Sequence, residues 1–278
     1  MVHKNTSSSA SVVFLTYATD DFLQNARSLM QSALSVGFQE AHVARPAEML
    51  ATDFGKRNSY ILNQRRGGGY WLWKPFIIAT ALRAMGDTDV LFYCDAGRSG
   101  YYRFARFPSV LVDRVRREEQ GILLGPAIPH LGPLSCWTKR DCLVLMAADL
   151  PTIANAPLVY TWSLWRPTRR AFEVLEAWQH YCEDRRCLTD DANVCGLPNY
   201  PDFRAHRHDQ SILSILAHQT GAPRLDFGRT LVHKLIETRP RSALSQTFYK
   251  RPQNADDLLR WDNPYLLARE YVRLKLAR

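Results

Sequence analysis

The sequence lacks any run of the roughly 18 apolar residues that a membrane-spanning helix needs, so no spanning segment is expected. Near the N-terminus only Val12-Val13-Phe14-Leu15 is apolar, too short for the core of a secretory signal. Cysteine is sparse. The 6 present are neither dense nor regularly spaced and form no CxxC pair, which argues against a disulfide framework and for reduced thiols in a cytoplasmic chain. Cys182, Cys187, Cys195, His206 and His208 offer zinc ligands by type, but their spacing fits no zinc pattern. No internal repeat occurs, and only residues 1–10 are of low complexity, read as a disordered N-terminus. Acidic residues are in deficit, 27 against 36 basic ones, a net charge of +9. That excludes an acidic disordered protein and directs attention to anionic partners: phosphates, nucleic acid or a membrane surface. A basic nucleic-acid-binding protein is therefore one alternative, yet no RNP, KH, zinc-finger or helix-turn-helix signature is present.

What is present suits one globular domain. The 278 residues are 46% hydrophobic and 23% charged, with no linker that would separate a second domain from residues 11–260. Residues 11–17 (SVVFLTY) predict a buried strand. Phe22, Leu23, Ala26, Leu29, Met30, Ala33 and Leu34 then recur at helical spacing up to Gly37, placed to stop that helix. Pro75 suits a first helical turn, and FIIATALRAM carries the helix to Gly86; VLFYC (90–94) is an apolar strand ending at Asp95-Ala96-Gly97. Further predicted elements are a helix near 109–119, strands at 121–125 and 158–165, and helices at 168–184 and 209–220, the last closed by Gly221. Thr138 and Asp141 have the spacing of a capping box before CLVLMAADL. This alternation predicts an α/β fold, a mainly parallel mixed sheet flanked by helices.

Three segments carry candidate chemistry. In Arg65-Arg66-Gly67-Gly68-Gly69-Tyr70-Trp71-Leu72-Trp73-Lys74-Pro75, consecutive glycines allow positive φ and close approach of a ligand to the backbone. Lys74 lies where a helix begins, and free N–H groups there favour a phosphate. It is neither a Walker loop nor a GxGxxG turn, and taken alone it reads first as a surface turn anchored by its tryptophans. Asp95 ends a strand, where open α/β sheets bind ligands and a carboxylate can hold a divalent cation; it also reads as a turn-forming residue before Gly97. His206-Arg207-His208-Asp209-Gln210-Ser211 concentrates acid–base side chains at a helix mouth, although Asp209 equally suits an N-cap. Trp137 and Lys139 are weaker candidates for contact with an acceptor. His233, following a strand-like RTLV, is a late candidate metal or phosphate ligand.

In this order RGGGYWLWKP (66–75), FYCDAG (92–97), CWTKRD (136–141) and HRHDQS (206–211) resemble the segments of GT-A type glycosyltransferases, in particular bacterial and viral sugar transferases of polysaccharide biosynthesis. The resemblance implies a Rossmann-like sheet that binds a nucleotide-sugar donor at its strand ends and transfers the sugar to a saccharide or lipid-linked acceptor. Asp95 would stand for the metal-binding aspartate of a DxD motif, holding Mn²⁺ or Mg²⁺ with help from His233, but Gly97 replaces the second aspartate. A metal-independent route, with Lys74 and Arg66 neutralising the diphosphate, is the other option, and a catalytically inactive donor-binding homologue is a third. Thr16 and Tyr17 would lie near base and ribose, with Trp73 beside the donor. Trp71, Trp137, Lys139, His208 and Gln210 would contact the acceptor. Asp209 would be the general base of an inverting enzyme or the charge stabiliser of a retaining one. The stretch 261–278, with Arg269, Arg273, Lys275 and Arg278 among leucines, reads as a basic helix that packs on the core or lies on the inner face of an anionic membrane.

Overall fold

The computed structural model describes residues 10–97, 103–104, 106–159, 161–225 and 236–237. Strand β1 (Val12–Tyr17) leads through helix α1 (Leu23–Val36) to β2 (Glu40–Ala44), and helix α2 (Trp73–Arg83) leads into β3 (Val90–Cys94). Helix α3 (Ser109–Arg117), β4 (Ile122–Leu124), α4 (Arg140–Leu145), β5 (Trp162–Trp165), α5 (Arg169–Glu183) and α6 (Asp209–Thr220) follow. The five strands lie in the order β2-β1-β3-β5-β4. β1 pairs in parallel with β2 and β3, while β5 runs antiparallel to β3 and β4, so it alone opposes the rest. The protein is thus α/β, with a mixed, mostly parallel sheet flanked by helices.

The sheet is covered on both faces, and the strands alternate accordingly. Val13, Leu15 and Tyr17 of β1 join Leu91 and Tyr93 of β3 in a core shared with Ile78 and Leu82 of α2, Leu175 and Trp178 of α5, and Ile212 and Ile215 of α6. Val12, Phe14, Val90, Phe92 and Cys94 face the other way, against Leu29 and Ala33 of α1 and Leu111, Val112 and Val115 of α3. Phe14 meets Phe38 and Phe104 edge-on, at centroid distances of 5.9 and 5.5 Å. Burying each such side chain stabilises the fold by about 1.5–3 kcal/mol. β1 connects outward to β2 on one side, and the chain then returns past β1 to β3. The direction of winding therefore reverses between β1 and β3, where sheets of this kind leave a crevice beyond their strand ends.

Local signals match the sequence at many ends. Gly37 closes α1 at φ 112° and Gly221 closes α6 at φ 63°. Thr168 caps α5, its Oγ1 accepting from the Ala171 N–H at 3.0 Å, an interaction worth about 1 kcal/mol. Two expectations fail locally. Of the strand expected over 158–165, the described residues show strand at Trp162–Trp165, while Leu158 forms an isolated bridge to Ala127 with its N–H donating to Ser214 Oγ. The capping box at Thr138 does not form. Lys139 is the N-cap of α4, and the Asp141 carboxylate accepts from the backbone N–H groups of Val194 and Cys195 at 2.8–3.0 Å. His233 and the stretch 261–278 lie outside the described residues, as does most of the low-complexity N-terminus.

Candidate active site

The segment before α2 sets one wall of the site. Gly67, Gly68, Gly69, Tyr70 and Trp71 all have positive φ, between 53° and 95°. They form one left-handed turn, closed by the Tyr70 N–H donating to the Arg66 carbonyl at 2.7 Å. Glycine accepts this conformation freely, whereas each of Tyr70 and Trp71 costs about 1–2 kcal/mol. The surroundings hold the turn in place. Trp73 Nε1 donates to the Gly67 carbonyl at 3.0 Å, and the Trp73 ring stacks on Tyr17 with centroids 3.8 Å apart. A side chain at Gly67 would meet the Trp71 ring, and one at Gly69 would meet Leu62 Cα at 2.6 Å. The positive φ expected of the glycines is present, and it continues into two aromatic residues.

This anchored turn delivers Lys74, the second residue of α2, into the interior at 3% exposure. A lysine so buried needs partners, and two carboxylates supply them. Its Nζ lies 3.1 Å from Asp95 Oδ1 and 3.4 Å from Asp209 Oδ2. Asp95 follows the last residue of β3, its N–H fixed by the Thr161 carbonyl at 2.7 Å, and its Oδ1 also accepts from the Tyr93 hydroxyl at 2.5 Å. Tyr93 on β3 and Asp95 just past its end are two residues apart in extended chain, and their side chains meet on one side. Asp209 opens α6. The N-cap is not Asp209 but His208, whose φ of 55° and ψ of −128° are unusual for a residue with a side chain. That kink turns the Asp209 carboxylate inward to Lys74.

Burial and charge set the proton affinities. Burial raises the Asp209 carboxyl, Lys74 opposes the rise and Asp95 adds to it, leaving the group at about 7. Burial acts to lower the Lys74 ammonium, but Asp209 and Asp95 outweigh it and raise its pKa. Burial, reinforced by Asp95, pushes the Tyr93 phenol well up, so it is a hydrogen-bond donor at neutral pH. The His208 ring is lowered to about 4, chiefly by burial. Its Nδ1 lies 2.8 Å from the Leu188 carbonyl, which makes that nitrogen the N–H donor. Nε2 is then the acceptor; it is buried, makes no hydrogen bond among the described residues and stands 3.9 Å from an Asp190 carboxylate oxygen. The Trp71 and Tyr70 rings pack against this imidazole at 5.6 and 4.9 Å.

Arg66, Trp71, Lys74, Asp95, Thr161, Arg207, His208, Asp209 and Gln210, together with His206, border a cleft of about 190 Å³ beyond the end of β3. Gln210 is oriented by donating from Nε2 to the Leu158 carbonyl at 2.8 Å. Arg66, half exposed, pairs with Asp190 at 3.1 Å. The structure thus gathers Arg66, Trp71, Lys74, Asp95, His208, Asp209 and Gln210 from the sequence-based set. It keeps others away from the cleft. Thr16 is fully buried in β1, and Tyr17 and Trp73 brace the glycine turn from behind. Burial raises the Tyr17 phenol to about 12. Trp137 is buried in the core with Nε1 donating to the Leu131 carbonyl, and the guanidinium of Arg207 covers its ring at 4.7 Å. Lys139 is buried too, its Nζ donating to the Asp191 carbonyl. His206 has both ring nitrogens committed, Nε2 to the Cys187 carbonyl and Nδ1 to the Lys139 N–H, so it positions its neighbours.

Among the described residues, which do not include His233, the cleft as it stands does not fit a divalent ion. Two carboxylates can hold such an ion when waters or phosphates complete its shell, but no three His, Cys, Asp or Glu side chains converge among the described residues, and the carboxylate pair is not vacant. An ammonium already sits between the two carboxylates of the cleft. The same holds for zinc on the cysteines: Cys182 and Cys187 are buried free thiols, and His206 is bound to backbone. Sequence reasoning missed Tyr93, Thr161 and Asp190. The period-2 spacing of Tyr93 and Asp95 was the one available signal. No family model matches the chain, and no curated protein matches it.

Proposed function

We propose that this protein is a glycosyltransferase that moves a sugar from a nucleotide-sugar donor to a hydroxyl of a saccharide or lipid-linked acceptor in surface-polysaccharide assembly. The observation that carries the reading is the convergence of Asp95, Lys74 and Asp209 from three distant segments into one cleft beyond the end of β3, with two arginines at its border. The GT-A assignment belongs to the same proposal, resting on the motif resemblance and on the α/β sheet.

Asp209 suits the role of general base. Its carboxylate borders the cleft, and a pKa of about 7 lets it take a proton at neutral pH. The acceptor hydroxyl loses its proton to Asp209 as its oxygen bonds the anomeric carbon. The bond from that carbon to the diphosphate oxygen breaks, and its electron pair leaves with the nucleoside diphosphate. Arg66 and Arg207 meet the growing negative charge, and Lys74 adds a fixed positive field behind them. The amide of Gln210 suits a sugar hydroxyl, and Trp71 offers a flat apolar face.

Thermal-shift titration with nucleoside diphosphates tests this reading. At least one nucleotide should raise the melting temperature, and Arg66→Ala should blunt the rise. No response to any nucleoside diphosphate, with or without Mn²⁺, would refute it.

A further inference from the structure

We infer that Lys74 is the resident cation of the cleft, taking the place between Asp95 and Asp209 that a divalent ion would otherwise fill, so that ligand binding there is independent of divalent metal. The nucleotide part of this inference rests on the transferase reading; the cation part does not.

The geometry is specific. Nζ contacts one oxygen of each carboxylate, at 3.1 and 3.4 Å, and the same Asp95 oxygen also receives the Tyr93 hydroxyl. An ion bound at Asp95 would need that oxygen or its neighbour, within a few ångströms of a like charge. A surface lysine could swing aside to admit it, but this one cannot. Its side chain is 3% exposed, and the rings of Trp73 and Tyr93 stand 5.8 and 5.5 Å from Nζ. Its backbone is fixed by the left-handed turn and the Tyr17–Trp73 stack just before it. The second aspartate of a DxD pattern is absent, its position being taken by Gly97. Arg66, Lys74 and Arg207 border the cleft with the carboxylates of Asp95 and Asp209, and Asp190 pairs with Arg66, so Lys74 is the cation seated between the two cleft carboxylates.

The test is a Mn²⁺ titration of the full chain, freed of metal by chelation and followed by the electron paramagnetic resonance signal of free Mn²⁺. Wild type should leave the Mn²⁺ signal undiminished, and Lys74→Ala, with its seat vacated, should take up one ion per chain. Uptake of one ion by wild type that Asp95→Asn abolishes overturns the inference, and this arm holds even if Lys74→Ala does not fold. A folded Lys74→Ala that takes up no ion also overturns it, because the carboxylates then form no cation seat. In a second arm, UDP and GDP affinities are measured in EDTA and in Mn²⁺. Equal values support the inference, and a gain of about tenfold or more with Mn²⁺ contradicts it. Failure of both nucleotides to bind in either buffer counts against the transferase reading, while the Mn²⁺ titration still judges the cation seat.

Discussion

Asp209→Asn should make the protein more stable at alkaline pH while removing its proposed base. The side chain keeps its shape, so packing around the 3%-exposed site is preserved. What changes is charge. Two carboxylates now share one buried ammonium, and the substitution leaves a one-to-one pair of Lys74 with Asp95. Folding raises the Asp209 carboxyl from an ordinary 3.8 to about 7, mainly through burial. A group held at a higher pKa in the folded state stabilises the fold fully below its unfolded pKa, and that contribution is lost as pH rises through the folded value. The gap between the two pKa values corresponds to about 4 kcal/mol. The stability of Asp209→Asn relative to wild type should therefore climb by about 4 kcal/mol between about pH 4 and about pH 8. Chemical denaturation at a series of pH values measures this difference, and titrating groups remote from the Lys74–Asp95–Asp209 cluster cancel because both proteins share them. A flat difference across that range would refute the assignment of Asp209 as a buried carboxyl titrating near neutrality.

Other substitutions probe the scaffold. Gly69→Ala should cost about 3 kcal/mol or more, because its Cβ would press on the Leu62 backbone at 2.6 Å and φ is 95°; a denaturation midpoint near wild type would contradict this. Trp73→Phe, which loses the bond to the Gly67 carbonyl and part of the Tyr17 stack, should cost about 1–2 kcal/mol in the same assay. Arg66→Ala removes an exposed pair with Asp190 and should change stability by less than about 1 kcal/mol. The same variant should weaken nucleoside diphosphate binding by about tenfold or more in calorimetry, as expected for loss of a charge-assisted phosphate contact.

The parts of the fold legible in the sequence are those whose local chemistry agrees with their tertiary setting. VLFYC is buried on both faces and is apolar throughout; α1 and α6 carry helical spacing and end at left-handed glycines. β2 was not legible. EAHVA is a partly exposed edge strand whose alternation, Ala41 and Val43 against Glu40 and His42, is too short and too weakly apolar to stand out without its pairing to β1. At the site, the three segments were visible as clusters of residue types, but their burial was not. Trp137 and Lys139 resemble ligand contacts in sequence and turn out to be a core ring and a buried backbone brace. The union of Lys74 with Asp95 and Asp209 depends on how α2 and α6 pack against β3, and no local pattern encodes it.

The most direct measurement is nucleoside diphosphate release from a panel of nucleotide-sugars, with water or a simple saccharide as acceptor, by wild type and Asp209→Asn. The account expects one donor class to be turned over by wild type and release to fall by about 10² or more in the variant, in line with loss of a general base. Absence of release from every donor, or equal release by the two proteins, would contradict it.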